Sequence, residues 1–287
     1  IGKDNIPFHT IIWPAMLMGY GGLNLPYDVP ANEYLNLEGR QLSTSRNWAI
    51  WLPDYLSRYD PDPLRYYLTI NAPESRDTDF SWYDFWRRNN DELVASWGNL
   101  AHRTLTFTYR NFEGRVPEPG ELDEMDKAFL EKIEGAFGPI GELIGGCRFK
   151  AALTEAMALT QEANRYLDRK EPWKIIADDR QSAATSVFVA LRAIDSLKIV
   201  LYPFLPFSSQ RLHEYLGYEG DLLGRQWVET FQEEGKSHTA LVYEPPKVKV
   251  GWEPSRLAPG QPLRKPKPLF PKLDEKIVEE ERARLGA

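Results

Sequence analysis

"NNDELVASWGNLAHRTLTFTYRNF", residues 89–112, decides how this chain is read. Leu93, Trp97, Leu100, Thr104 and Phe107 recur at alternating spacings of four and three. That is the period of a helix with one buried stripe. Further helical patterns follow at once. "GELDEMDKAFLEKIEGAFGPIGELI" comes after the Pro/Gly break "RVPEPGE", "CRFKAALTEAMALTQEANRYLDRK" is stopped by Pro172, and "DDRQSAATSVFVALRAIDSLKIVLYPFLP" is stopped by Pro203 and Pro206. Long helices with short connections predict an all-α bundle over residues 87–244.

Outward from this bundle the character changes twice. Residues 1–86 read as mixed α/β. "FHTIIWPAMLMGYG" has helical apolar spacing ended by glycines, "VPANEYLNLEGR" alternates like a strand and turns at Gly39, and Pro53 and Pro63 suit the first turns of two short helices. Residues 245–287 begin Pro-rich and basic, with Lys247, Lys249, Arg256, Arg264, Lys265, Lys267 and Lys272 against Glu253, and end in a charged helical stretch. This tail reads either as RNA-following charge or, preferably, as an extended strap over the bundle. "EEERARL" within it reads as a solvated face.

The chain has 287 residues, is 42% hydrophobic and 27% charged, and carries 9 Trp, 14 Tyr and 13 Phe. Such a composition builds real cores and argues against disorder. With a net charge of −7, any nucleic-acid site must be a local patch. Cys147 is the single cysteine, so neither an intrachain disulfide nor a Cys-based zinc knuckle is expected. His213 and His238 share no ligand spacing, and no metal is assigned. The run "IVLYPFLPF" is too short to span a bilayer. A soluble cytoplasmic protein is the expectation. The opening at Ile1 is abrupt for a domain and suggests a piece of a longer or split protein.

Three places could carry chemistry. "QLSTSR" sets Gln41, Ser43, Thr44 and Ser45 between Arg40 and Arg46, a hydroxyl-rich loop able to donate to phosphate oxygens. A helix cap explains Thr44 and Ser45 equally well. "GNLAHR" puts Asn99 and Arg103 four residues apart on one helix face, off the apolar stripe. Asn and Arg read base edges, yet such a pair is also an ordinary solvated one. Trp173, after Pro172, offers a stacking platform for an unpaired base or an ordinary core aromatic. His102 reads as a surface residue.

"GKDNIPFHTIIWPAML", then "QLSTSR", then "DPDPLRYYL", in that order, resemble the C-terminal half of the methionyl-tRNA synthetases, class I aminoacyl-tRNA synthetases. The resemblance runs from Gly2 to the final "LFPKLDEKIVEEERARL". It implies that residues 1–86 are the remnant of a class I, Rossmann-type catalytic domain with a KMSKS-type loop and stem-contact region. Residues 87–244 would be the anticodon-binding domain, and residues 245–287 a strap and helix packing back. By position, Asp4 would face the ATP ribose, and His9 and Trp13 would line the methionine pocket, with Ile11 and Ile12 in the core. Gln41, Ser43, Thr44, Ser45 and Arg46 would form the ATP loop, in which Gln41 and Thr44 stand where the family has lysines. Arg40 and Arg46 could supply the missing charge. Asn99, Arg103 and Trp173 would recognise the CAU anticodon.

The partners implied are methionine, ATP with Mg²⁺, tRNA(Met) and an N-terminal catalytic half. The family's HIGH-type motif belongs to that half and is absent from this sequence, so the chain by itself is expected to be inactive. A non-catalytic tRNA-binding relative is the alternative. A synthetase of the leucine, isoleucine or valine group is a weaker third, opposed by "WPAML" and the Asn99, Arg103 and Trp173 set.

Overall fold

The structure is a computed structural model that describes every residue except 223, 247–250 and 287. Lys247 and Lys249 of the basic tail therefore lie outside the described residues. Two compact units make up the chain: Ile1–Leu93 with Glu142–Glu155 and Lys272–Ala287, and Val94–Gly141 with Ala156–Pro271.

The first unit is mixed α/β. Helix α1 (Trp13–Tyr20) follows a wider π-helical stretch at Phe8–Ile12. Strands β1 (Leu35–Leu37) and β2 (Arg40–Gln41) form a hairpin, and β1 also pairs in parallel with β3 (Thr78–Phe80), giving the order β2-β1-β3. The hairpin turn is Glu38-Gly39, both with positive φ (49° and 75°). Such a two-residue turn matches the right-handed twist of its strands. Asp79 accepts the Gly39 N–H at 2.8 Å and fixes the turn. Short helices α2 (Leu52–Leu56), α3 (Pro61–Ile70) and α4 (Trp82–Arg88) pack Tyr55, Leu64, Tyr67, Trp82 and Phe85 with Leu37 and Phe80 into one aromatic core. Helix α12 (Ile277–Ala283) closes it with Ile277 and Val278. The expected solvated face of "EEERARL" holds at Glu279, Glu280, Arg282 and Arg284 but is corrected at Glu281. Glu281 is only 3% exposed, because Arg58 grips it through Nε and Nη2 at 3.0 and 2.9 Å and Tyr59 donates at 2.8 Å.

The second unit is mostly helical: α5 (Asn99–Asn111), α6 (Glu124–Gly135), α9 (Pro172–Ile175), α10 (Arg180–Leu201) and α11 (Pro206–Tyr215), with most of α8 (Phe149–Lys170). Between α6 and α8 lies α7 (Phe137–Gly145). Helix α10 is apolar almost all round, from Ala183 to Leu201, and packs against α5, α6, α9 and α11. A helix of that kind belongs at the centre of a bundle. The stripe Leu93, Trp97, Leu100 and Thr104 is buried, but Phe107 is only half-buried and Thr108 takes its place inside. The cause is local: residues Asn89–Gly98 form wider π turns before α5 begins. A four-residue spacing lies near a full turn in both geometries, so spacing alone cannot tell them apart.

One element has no counterpart in the sequence reading. Strands β4 (Arg225–Glu233) and β5 (Lys236–Glu244) form a nine-pair antiparallel hairpin turning at Glu234-Gly235. From Gly251 the chain runs extended along the bundle. Trp252 donates to the Phe137 carbonyl at 2.8 Å, Val116 and residues 260–261 exchange backbone bonds, and Leu257, Leu263, Leu269 and Phe270 are buried.

A buried charge cluster pins this extended segment to α10. The Lys198 ammonium pairs with Asp195, which also accepts from Tyr218 at 2.8 Å and from Ser255. His213 stacks on Tyr218 with ring centroids 4.7 Å apart, and its Nδ1 lies 3.2 Å from Lys198 Nζ. Burial, then the Lys198 charge, holds His213 down at about 4 against an ordinary 6.5. The unfolded chain takes up this proton first, so stability is lost as pH falls through 6.5 and levels off below 4. We expect chemical denaturation to show a total loss of about 3 kcal/mol across that range, at up to about 1.4 kcal/mol per pH unit. His213→Gln should flatten that part of the profile.

Candidate functional site

In the first unit the QLSTSR loop is held at its base and open at its tip. Ser43 and Trp48 exchange backbone hydrogen bonds at 2.9 and 2.8 Å, and Asn47 N–H donates to the Thr44 carbonyl at 3.1 Å. Asn47 sits in the left-handed region (φ 49°), a conformation Asn tolerates better than most residues. The Trp48 indole donates to the Leu37 carbonyl at 2.8 Å, anchoring the loop to β1. Gln41, Thr44, Ser45 and Arg46 are exposed, and the Ser43 and Ser45 hydroxyls lie 3.3 Å apart. The two flanking arginines differ. Arg40 stacks its guanidinium over Trp48 at 4.7 Å. Arg46 stands exposed and is the better-placed cation for an incoming anion.

Asp4, His9 and Trp13 lie on the N-terminal segment of the same unit. Tyr34 donates to the Asp4 carboxylate, which raises the Tyr34 pKa. His9 Nδ1 donates to the Asn5 carbonyl at 2.9 Å, leaving Nε2 as its outward nitrogen, and the His9 and Trp13 rings meet edge-on at 6.2 Å. Ile11 and Ile12 are not core residues in this chain: they are 66% and 47% exposed. Phe8, Met16, Met18 and Tyr20 share that exposure.

In the second unit Arg103 and Trp173 meet although 70 positions apart in sequence. The guanidinium carbon lies 5.2 Å from the Trp173 ring centroid, within cation–π range. Helix α8 supplies the other walls. Asp168 Oδ1 accepts from both Nη1 and Nη2 of Arg103 at 3.1 Å, and Asn164 Oδ1 accepts from Nη2 at 3.2 Å. Asn164 is itself held, donating to the Thr160 carbonyl at 3.0 Å and the Ser96 carbonyl at 3.3 Å. Arg103 Nε is buried with no acceptor among the described residues. Trp173 reaches this place because Glu171 adopts a left-handed turn (φ 42°) after α8, and Pro172 then starts α9. Asn99 lies exposed one turn before Arg103 on α5. The result is an aromatic face at the surface, a fixed guanidinium beside it and an amide one turn away. Such a set can stack an unpaired base and hydrogen-bond its edge.

Sequence reasoning did not reach Asn164 and Asp168. Their i, i+4 spacing on α8 is legible, but their contact with Arg103 depends on which helices pair. Among the described residues no group of three or more His, Cys, Asp or Glu side chains is placed to hold a metal ion, and no helix is long and apolar enough to cross a membrane.

Comparisons with known proteins bear on both units. Residues 1–105 match the class I (M) tRNA synthetases, and residues 116–287 match the anticodon binding domain of methionyl tRNA ligase. The methionine–tRNA ligase of Thermomicrobium roseum is 59% identical across all of this chain, which covers 50% of that protein. That of Roseiflexus castenholzii is 56% identical, with 48% of its length covered. The chain thus spans about half the length of the curated relatives it matches. Among solved structures, Mycobacterium tuberculosis methionyl-tRNA synthetase bound by methionyl-adenylate aligns with a TM-score of 0.78 at 26% identity, over 94% of this chain and 49% of that one. Its apo form gives 0.77 at 25%, over 96% and 49%.

The packing around Arg103 predicts unequal costs. Asp168 is 61% exposed at its side chain, so Asp168→Ala should lower stability by less than about 1 kcal/mol. Asn164→Ala, which abandons two backbone carbonyls as well as Arg103, should cost about 1–3 kcal/mol. Denaturant midpoints of the two variants check the order.

Proposed function

The chain belongs to the methionyl-tRNA synthetase family, corresponding to its C-terminal portion, and from that premise we propose that it supplies the ATP loop and the anticodon reader of a methionine–tRNA ligase. The complete enzyme joins methionine to ATP, releases pyrophosphate and passes the aminoacyl group to tRNA(Met). In this reading Asp4 faces the ATP ribose, while His9 and Trp13 line the methionine pocket. Residues 41–46 meet the phosphates, with Mg²⁺ accompanying ATP as its usual counterion. Asn99, Arg103 and Trp173 read the CAU anticodon. Residues 1–86, 87–244 and 245–287 divide these tasks as catalytic remnant, anticodon domain and returning strap, in a cytoplasmic enzyme.

The observation that carries the proposal is the Arg103–Trp173 pair, a stacking surface with a base-edge donor already held beside it. The N-terminal partner is supported by the exposed apolar run Phe8, Ile11, Ile12, Trp13, Met16 and Met18, since clustered exposed apolar side chains mark interaction surfaces. An N-terminal half of the kind the longer relatives contain would cover it and complete the ATP site. A non-catalytic tRNA binder is the second reading, and the loop itself favours it: Gln41 and Thr44 stand in lysine positions and Arg40 is engaged by Trp48.

At one fixed salt concentration the purified chain should bind a CAU anticodon stem-loop more tightly than one with a single anticodon base changed. Trp173→Ala should weaken the CAU complex by about tenfold or more, the worth of one base–aromatic stack, and erase the difference. Equal binding of both stem-loops by the unaltered chain would overturn the anticodon assignment. Joined to an N-terminal half, the chain should catalyse methionine-dependent ATP–pyrophosphate exchange. Arg46→Ala should slow that exchange by roughly a hundredfold, the usual effect of losing one preorganised phosphate donor. No exchange with tRNA binding intact would favour the non-catalytic reading.

A further inference from the structure

The last turn of α12 and the residues after it contact the residues that flank the QLSTSR loop, Glu38 before it and Asn47 after it. On the entry side, Arg282 pairs with Glu38 at 2.9 Å. Glu38 is the first, left-handed residue of the turn between β1 and β2, and its other carboxylate oxygen accepts the Trp82 N–H at 2.8 Å. On the exit side, the Gly286 N–H donates to the Asn47 carbonyl at 3.0 Å. Asn47 also receives the Trp51 indole N–H on Oδ1 at 2.7 Å. Gly286 itself has φ 75° and lies against the Trp48 ring, while Leu285 packs into the same core as Trp48. Between these two points the loop side chains are largely exposed.

We propose that residues 282–286 are a brace for the phosphate loop, with the Arg282 side chain and the Gly286 amide as its positioning groups. This rests on the reading of residues 41–46 as the loop that meets ATP. A short exposed loop opens at little free-energy cost, whereas donors that stabilise developing charge must already stand in place. Pinning Glu38 and Asn47 restricts the tip to the motion its own residues allow. Helix α12 is well suited to hold the pins, because buried Ile277, Val278 and Glu281 root it in the aromatic core. The brace acts only through the loop and touches no reacting atom.

Two variants test this. Arg282 is about half exposed, so Arg282→Ala should fold. Gly286→Pro removes the N–H and cannot hold a positive φ. In hydrogen exchange on the chain, both should speed exchange of the Ser43 and Trp48 amides by about threefold to tenfold, and the amides of α10 should not change. In the chain joined to its N-terminal half, kcat for ATP–pyrophosphate exchange should fall by a similar factor with the KM for methionine unchanged. Arg282→Lys should restore most of it. Unchanged loop amides in both variants would overturn the brace. Faster loop exchange with normal ATP chemistry would keep the brace and remove the phosphate-loop reading on which its function rests.

Discussion

The guanidinium of Arg103 is the point on which the geometry of the second unit turns. It is held on one side by the Trp173 ring and on the other by Asn164 and Asp168 of α8. Every one of those partners comes from a segment whose placement the bundle dictates. Helix α8 must end at Lys170, Glu171 must turn left-handed, and Pro172 must start α9 for the indole to arrive. A left-handed non-glycine residue costs about 1–2 kcal/mol. The surrounding helices hold it there, since α9 packs on α10 at the centre of the bundle. The packing of the core thus reaches the surface as a fixed cation beside an aromatic face.

The first unit follows the same logic with different materials. Its core is aromatic, and the two features that shape the loop, the Glu38-Gly39 turn and the Trp48 anchor, are both tied to it. Glu281 illustrates how a charge can be placed inside such a core. Two guanidinium nitrogens and a phenol satisfy its carboxylate, and a buried charge persists only with partners of that kind.

Much of this was legible in the sequence. The buried stripe from Leu93 to Thr104, the breaks at Pro172 and Pro203, and the order of motifs led to the family without any coordinates. What escaped had physical causes. The slip from Phe107 to Thr108 followed from π turns that a four-residue spacing does not reveal. The β4–β5 hairpin carries its apolar residues on exposed faces, so its alternation did not read as a buried strand. Glu281 sits in a run of like charges, and its burial is decided by Arg58 and Tyr59, more than 200 positions away. Asn164 and Asp168 were invisible for the same reason. Ile11 and Ile12 lie in a stretch with helical apolar spacing, yet both stand exposed.

In the proposed function, Trp173 and Arg103 form one preorganised reader of an unpaired base. The most direct test is a crystal structure of the chain with a CAU anticodon stem-loop. An anticodon base should be found stacked on Trp173, its edge hydrogen-bonded by Arg103 or Asn99, with the guanidinium close to its present position. A stem-loop lying elsewhere on the chain, with Trp173 left uncovered, would contradict it.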